Sequence, residues 1–309
     1  MSIVVMGAVF VDIKGYPQEQ YNPAGRNVGR VIHTHGGVSR NVAEDIANVE
    51  LRPTFVSVVD ESGVSRDVVE NLQKHKVNTD YIVTAPDGLG TWLAVFDNTG
   101  DVVDSISQRP DLTALEGLLK EKGDELVAGA SSLVMEIDME PHLLRRVFDL
   151  ADKYGKKIYA VVSNMSIAMK RRDLLHRCAC VICNQQEAGM LFSEDYMQFG
   201  AAEMQVRLAD LVQRARIPSM VVTMGAEGAV WAILDGENGY CPALKVDVVD
   251  TTGAGDAFLA GVAIGLTYGK TLSDACVIGT RLAASVLATK ESVCPRFRPE
   301  EFDLNVPEE

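Results

Sequence analysis

Short runs rich in Val and Ile alternate along this chain with longer amphipathic stretches, and that alternation restricts the fold more than any other feature. A short unbroken apolar run suits a strand buried on both faces. Only a sheet covered by helices on each side offers that setting. Residues 2–9, 54–59, 133–136, 157–162, 178–183, 220–223 and 229–234 read as strands, and 40–49, 65–74, 141–154, 185–192, 201–215, 254–268 and 273–289 as helices. The series predicts an α/β fold in three layers, α/β/α, around a central, mostly parallel sheet.

Two stretches break the rhythm. Residues 13–34 carry scattered polar side chains with Pro17, Pro23 and Gly25, which suits extended hairpins better than a helix. Residues 88–107 contain Thr91-Trp92-Leu93-Ala94-Val95-Phe96, then Asp97-Asn98-Thr99-Gly100 as a turn, then Val102-Val103. Together they predict a small discontinuous β-sheet lid, about 13–34 and 88–107, on a single domain spanning 1–309. Such a flap serves as a lid or as a surface for a homodimer.

The charge balance, 29 Lys and Arg against 43 Asp and Glu for a net −14, argues against general attraction to nucleic acid or an anionic membrane. A small anionic ligand would need a local positive site. No apolar run approaches the roughly 18 residues of a membrane span. The opening Met1-Ser2-Ile3-Val4-Val5-Met6-Gly7 reads as a first strand and not as a secretory leader, so a cytoplasmic location is expected. Cys178, Cys180 and Cys183, with His176 nearby, invite a metal reading; their apolar surroundings and the lack of a second ligand pair favour a buried strand.

The strongest chemical signal is Asp250-Thr251-Thr252-Gly253-Ala254-Gly255-Asp256, where an apolar stretch runs into a small-residue turn and a helix opens with Asp256 on its first turn. Small residues let backbone amides approach a ligand, and a helix N-terminus offers unpaired N–H groups and a positive dipole end. A carboxylate beside that anion site suits a base for a nucleophilic hydroxyl, an arrangement for phosphoryl transfer. Downstream, Gly265-Leu266-Thr267-Tyr268-Gly269-Lys270-Thr271 imitates a Walker A loop but is one residue short and follows a helix, so it reads as a helix end. Asp12, after the first apolar run, suits either a sugar-hydroxyl clamp or a turn. Asn184-Gln185-Gln186-Glu187 reads either as a capping box or as a carboxylate ordering water around Mg²⁺.

Gly36-Gly37 with Asn41, Asn184 with Glu187, then Thr223, Gly225 and Gly228, and lastly Asp250 to Asp256 occur in an order that resembles the ribokinase-like sugar and nucleoside kinases of the PfkB family. The resemblance covers nearly the whole chain. It implies a ribokinase-like fold with a β lid and an ATP- and Mg²⁺-dependent kinase, in some members with a monovalent cation such as K⁺. It makes Asp256 the base and Gly253, Ala254 and Gly255 the donors to the transferring phosphoryl group. Asp12, Gly37 and Asn41 would hold the acceptor, Asn184, Thr223, Gly225 and Gly228 the nucleotide. Glu187 would act on Mg²⁺ through water, and Asp250 and Thr252 on the monovalent cation. The residues from Gly7 to Tyr16, Gly25 to Arg40 and Phe96 to Asp101 look most like the pseudouridine kinase branch, which implies phosphorylation of a ribonucleoside 5′-hydroxyl, with a kinase of another nucleoside or of a free sugar such as ribose, fructose or a sugar acid as the alternative. Phe10, Tyr16, Trp92 and Phe96 are candidates to stack on a base, or core residues. Two places depart from the resemblance: Ser107-Gln108-Arg109 where that branch has an acidic residue and Met, and Val162-Ser163-Asn164 where many members have Asp-x-Asn. An idle sugar- or nucleotide-binding regulator on the same scaffold is the reading from another class.

Overall fold

The structure, a computed structural model, describes residues 1–99 and 101–306. Its strands are β1 (Ile3–Met6), β2 (Phe10–Pro17), β3 (Gly29–Gly36), β4 (Thr54–Val59), β5 (Asn78–Thr84), β6 (Gly90–Phe96), β7 (Val102–Gln108), β8 (Ser132–Glu136), β9 (Lys157–Val161), β10 (Cys180–Asn184), β11 (Ser219–Thr223), β12 (Ala229–Ile233) and β13 (Asn238–Cys241). The α-helices are α1 (Val38–Asn48), α2 (Gly63–Lys74), α3 (Leu115–Gly129), α4 (Pro141–Tyr154), the short α5 (Met165–Ala168), α6 (Gln185–Phe192), α7 (Ala201–Ala215), α8 (Ala254–Thr267) and α9 (Leu272–Leu287).

Nine strands form the large sheet in the order β13-β12-β11-β10-β9-β8-β1-β4-β5. Every pairing from β11 to β5 is parallel, and β12 and β13 close the other edge antiparallel. The alternation of side chains along each strand explains the three layers. On β1, Val4 and Met6 join the core beneath α3, α4, α6 and α7, whereas Ile3 and Val5 join the core beneath α1, α2, α8 and α9. The expected α/β/α arrangement is therefore present. Among the described residues no helix is long and apolar enough to cross a membrane.

The two rhythm-breaking stretches meet in a separate four-stranded sheet, β3-β2-β6-β7. The β2–β3 and β6–β7 pairs are antiparallel, and β2–β6 is parallel. One face carries Asp12 beside Trp92, and Tyr16 stacked on Phe96 with ring centroids 4.7 Å apart. The other carries Ile13, Leu93 and Ile106 in one row. In the turn before β7, Asp97 accepts hydrogen bonds from Thr99 and Asp101, while Gly100 lies outside the described residues.

Besides the four-residue α5, three elements among the described residues have no counterpart among the predicted ones. The helix α3 contains Gly117, Gly123 and Gly129 and many charges, which obscure its apolar stripe of Leu115, Leu119 and Leu126. The strands β5 and β13 lie at the sheet edges, half-exposed and without a strong apolar run. Conversely, the apolar residues preceding Asp250 make no strand, and Val248 and Val249 are exposed.

Candidate active site

In the large sheet β1 lies between β4 and β8, so the chain leaves it toward one side and returns on the other. Ligands of open α/β sheets bind at the carboxyl ends of strands beside such a switch point. The first strand stops at Met6, short of the expected residue 9, and the chain crosses into the lid. Asp12 therefore does not end the first strand; it sits within β2, opposite Thr34 of β3 and Trp92 of β6. Burial raises its pKa, opposed by the charges of Lys14 and Arg40.

After β3 the chain turns into α1 at Gly37, whose φ of 98° suits only glycine without strain. A Cβ there would also stand 2.7 Å from the Ala8 carbonyl oxygen. That turn puts Asn41 on the first turn of α1, with its N–H on the Gly37 carbonyl at 2.9 Å. Its Nδ2 donates to Asp256 Oδ2 at 2.6 Å, and its Oδ1 is buried without a partner.

Asp256 arrives from the other end of the sequence on the first turn of α8, a helix with no side-chain cap. Gly253 precedes it in the left-handed region, φ 83°, with the Ser292 carbonyl against the place a Cβ would take. Asp250 Oδ1 accepts the Thr252 N–H at 2.8 Å and shapes the approach to the helix. Burial opposes the charge on Asp250, yet the hydrogen bonds from Thr252 and the charge of Lys14 hold its pKa below the usual value. The pKa of Asp256 is pushed up to about 6, by burial first and then by Glu187 and Asp12, against Asn41 and Arg40, which lower it. Asp12, Asn41, Asp250 and Thr252 line one cleft of about 790 Å³.

Asn184 ends β10 beside Thr223 at the end of β11. The capping box is real: Asn184 Oδ1 accepts the Glu187 N–H, and Glu187 Oε2 accepts the Asn184 N–H, both at 2.8 Å. The charge of Glu187 adds to the raised pKa of Asp256. Burial raises the Glu187 pKa against the hydrogen bond from Asn184. Gly225 and Gly228 follow in the β11–β12 turn, both with positive φ, and do not line the cleft.

A buried acidic group missed in the sequence adjoins the switch point. Glu136, at the carboxyl end of β8, and Asp138 are almost fully buried, at 1% and 2% exposure. Glu136 Oε1 accepts the N–H groups of Ala8 at 3.3 Å and Ser39 at 3.2 Å. Ser163 Oγ lies 2.9 Å from Asp138 Oδ2 and 3.3 Å from Glu136 Oε2, and Arg109 Nη1 donates to Asp138 Oδ2 at 2.8 Å. Burial and the neighbouring Asp138 push the Glu136 pKa up to about 7. An acidic pair closing an apolar run, Glu136-Ile137-Asp138, was the available signal. Both departing stretches contribute here: Ser163 supplies a hydroxyl to the acidic pair, and Arg109 supplies a cation.

The remaining motifs have structural roles. Cys178, Cys180 and Cys183 are buried free thiols, and burial raises the pKa of each. Among the described residues no group of His, Cys, Asp and Glu could hold a metal ion by itself. In the Walker-like stretch Gly269 takes the left-handed conformation just past α8, and Thr271 caps α9 by accepting the Asp274 N–H at 3.1 Å.

The sequence pattern of the pfkB family carbohydrate kinases matches residues 1–295. The chain belongs to that family. It is 32% identical over 292 residues to guanosine-inosine kinase of Exiguobacterium acetylicum, covering 94% of this chain and 95% of that protein. To pseudouridine kinase of Escherichia coli (strain K12) it is 25% identical over 262 residues, covering 84% and 82%. The fold matches that of Arabidopsis thaliana ribokinase complexed with ribose and ATP, with a TM-score of 0.84, 20% identity and coverage of 95% and 96%. This pfkB kinase is an ATP-dependent phosphotransferase with the ribokinase-like fold. The expected pseudouridine branch is not singled out, since guanosine-inosine kinase shares more identity with it.

Proposed function

We propose that this kinase phosphorylates the 5′-hydroxyl of a ribonucleoside, with a 6-oxopurine nucleoside, guanosine or inosine, as the favoured acceptor. The observation that carries the reading is the 2.6 Å contact of Asn41 with Asp256 at the uncapped N-terminus of α8. It joins an acceptor-holding amide, a base and an anion-binding helix end in one place. Asp256 takes the hydroxyl proton, and the N–H groups of Gly253, Ala254 and Gly255 receive charge from the transferring phosphoryl group. Because that transition state is loose, positioning and charge neutralisation outweigh base strength, so a carboxylate titrating near 6 suffices. Asp12, Gly37 and Asn41 hold the sugar hydroxyls, with the unpartnered Asn41 Oδ1 ready to accept one.

The choice of acceptor rests on the likeness to guanosine-inosine kinase and on the aromatic face of the lid, where Trp92 and the Tyr16–Phe96 stack lie on the side of Asp12. Stacking on such rings favours a base-bearing acceptor. Asn184, Thr223, Gly225 and Gly228 line the nucleotide. The donor set also fits the ions: Glu187 and Asp250 offer the hard carboxylate oxygens that Mg²⁺ and K⁺ prefer. Mg²⁺ supplies charge neutralisation on the phosphates when bound, with Glu187 ordering its water; Asp250 and Thr252 are the residues for a monovalent cation.

The outward lid face, with Ile106 70%, Leu93 41% and Val31 63% exposed, supports a homodimer through the lid. The test of function is ATP consumption across guanosine, inosine, pseudouridine, adenosine, ribose and fructose. Turnover greatest with guanosine or inosine is expected. Turnover of free sugars alone would overturn the nucleoside assignment.

A further inference from the structure

We propose that Arg109 is a positioning residue, a latch through which the end of the lid and the buried Glu136 hold Asp12 and Asn41 in register. The inference rests on the reading of those two as acceptor-binding residues. Arg109 directly follows β7 and reaches down to the large sheet, where Nη1 meets Asp138 Oδ2 at 2.8 Å and Nη2 the Asp138 carbonyl at 3.2 Å. Its side chain is 27% exposed and that of Asp138 fully buried, so the pair is shielded from solvent.

The network divides at Asp138 and runs on toward the acceptor residues. Along the lid, Gln108 pairs with Thr91, and Thr91 pairs with Val11, the neighbour of Asp12. Through the body, Asp138 and Glu136 share the Ser163 hydroxyl. Glu136 then grips Ala8, where the chain enters the lid, and Ser39, two residues before Asn41. The lid route from Arg109 thus ends beside Asp12, and the body route ends near Asn41 and at the entry to the lid. Among the described residues Arg109 is the only cation in an ion pair with Asp138, whose Oδ1 has no partner. Without it the lid keeps its strands but loses this tie to the body.

The test compares the full-length parent with Arg109→Ala and Arg109→Lys. Hydrogen exchange without ligand should quicken about tenfold in β6 and β7 of the alanine variant and stay unchanged in β8 to β11. The acceptor KM should rise about tenfold or more while the ATP KM stays within about twofold, and lysine should restore most of both effects. Unchanged lid exchange, or equal increases in both KM values, would overturn the latch. If the parent phosphorylated no nucleoside, the acceptor reading would fail, whereas lid exchange would still decide whether Arg109 ties the lid down.

Discussion

Asn41 Nδ2 lies 2.6 Å from Asp256 Oδ2 although 215 positions separate them in sequence. Two helix N-termini, one near each end of the chain, are joined by that contact. In the proposed reaction Asp256→Asn removes the base and keeps the helix end. Turnover should fall by about 10²- to 10⁴-fold with ATP affinity by calorimetry nearly unchanged. Near-normal turnover would contradict the assignment.

With the pKa of Asp256 at about 6, acceptor kcat/KM should rise with pH along an acid limb centred near that value. Asn41→Leu removes a hydrogen bond that lowers this pKa, so the limb should move to higher pH; matched pH–rate profiles measure the displacement.

Stability follows with a definite sign. The folded pKa of about 6 exceeds the unfolded 3.8, so the folded state binds more protons between these values and loses stability as pH rises through them. Asp256→Asn should therefore raise Tm above pH 6 by a few degrees, on the order of the shift produced by 1–2 kcal/mol. The gain should vanish toward about pH 4, which thermal scans across pH would reveal.

Gly253 and Gly255 should separate folding from phosphate approach. Gly253→Ala places a methyl against the Ser292 carbonyl at positive φ, and should destabilise by about 1–3 kcal/mol with loss of turnover. A Cβ at Gly255 meets nothing within 4 Å, so Gly255→Ala should leave stability intact. Slower turnover in that variant, with an unchanged melting curve, would report obstruction of the phosphoryl group.

Ile106→Lys, on the outward lid face, tests the proposed dimer. Sedimentation should give a dimer for the parent and a monomer for the variant; a monomeric parent at micromolar concentration would refute the arrangement.

The six cysteines are buried and unpaired. A thiol reagent should label them slowly in the folded protein and fully in denaturant, without a reductant. Rapid labelling of Cys178, Cys180 or Cys183 under native conditions would contradict their place in and beside β10.

The layers of the fold were legible in sequence because strand burial and helix amphipathicity are local periodicities. The runs at 54–59, 141–154, 185–192 and 201–215 coincide with β4, α4, α6 and α7. The motifs around Gly37, Asn184, Gly225 and Asp256 were legible because a tight turn or a helix start demands particular residues at particular spacings. Relations across space were not. That Asp12 stands on a lid strand, that Asn41 meets Asp256, and that Arg109, Ser163 and Glu136 form one network depend on β1 ending at Met6 beside β8. A carboxylate's neighbours in sequence do not reveal its neighbours in space. The chain by itself determined a helix-covered parallel sheet and a small-residue turn opening a helix with Asp256 on its first turn, while tertiary packing decided which side chains share a site, because burial and hydrogen-bond satisfaction are settled only once distant segments meet.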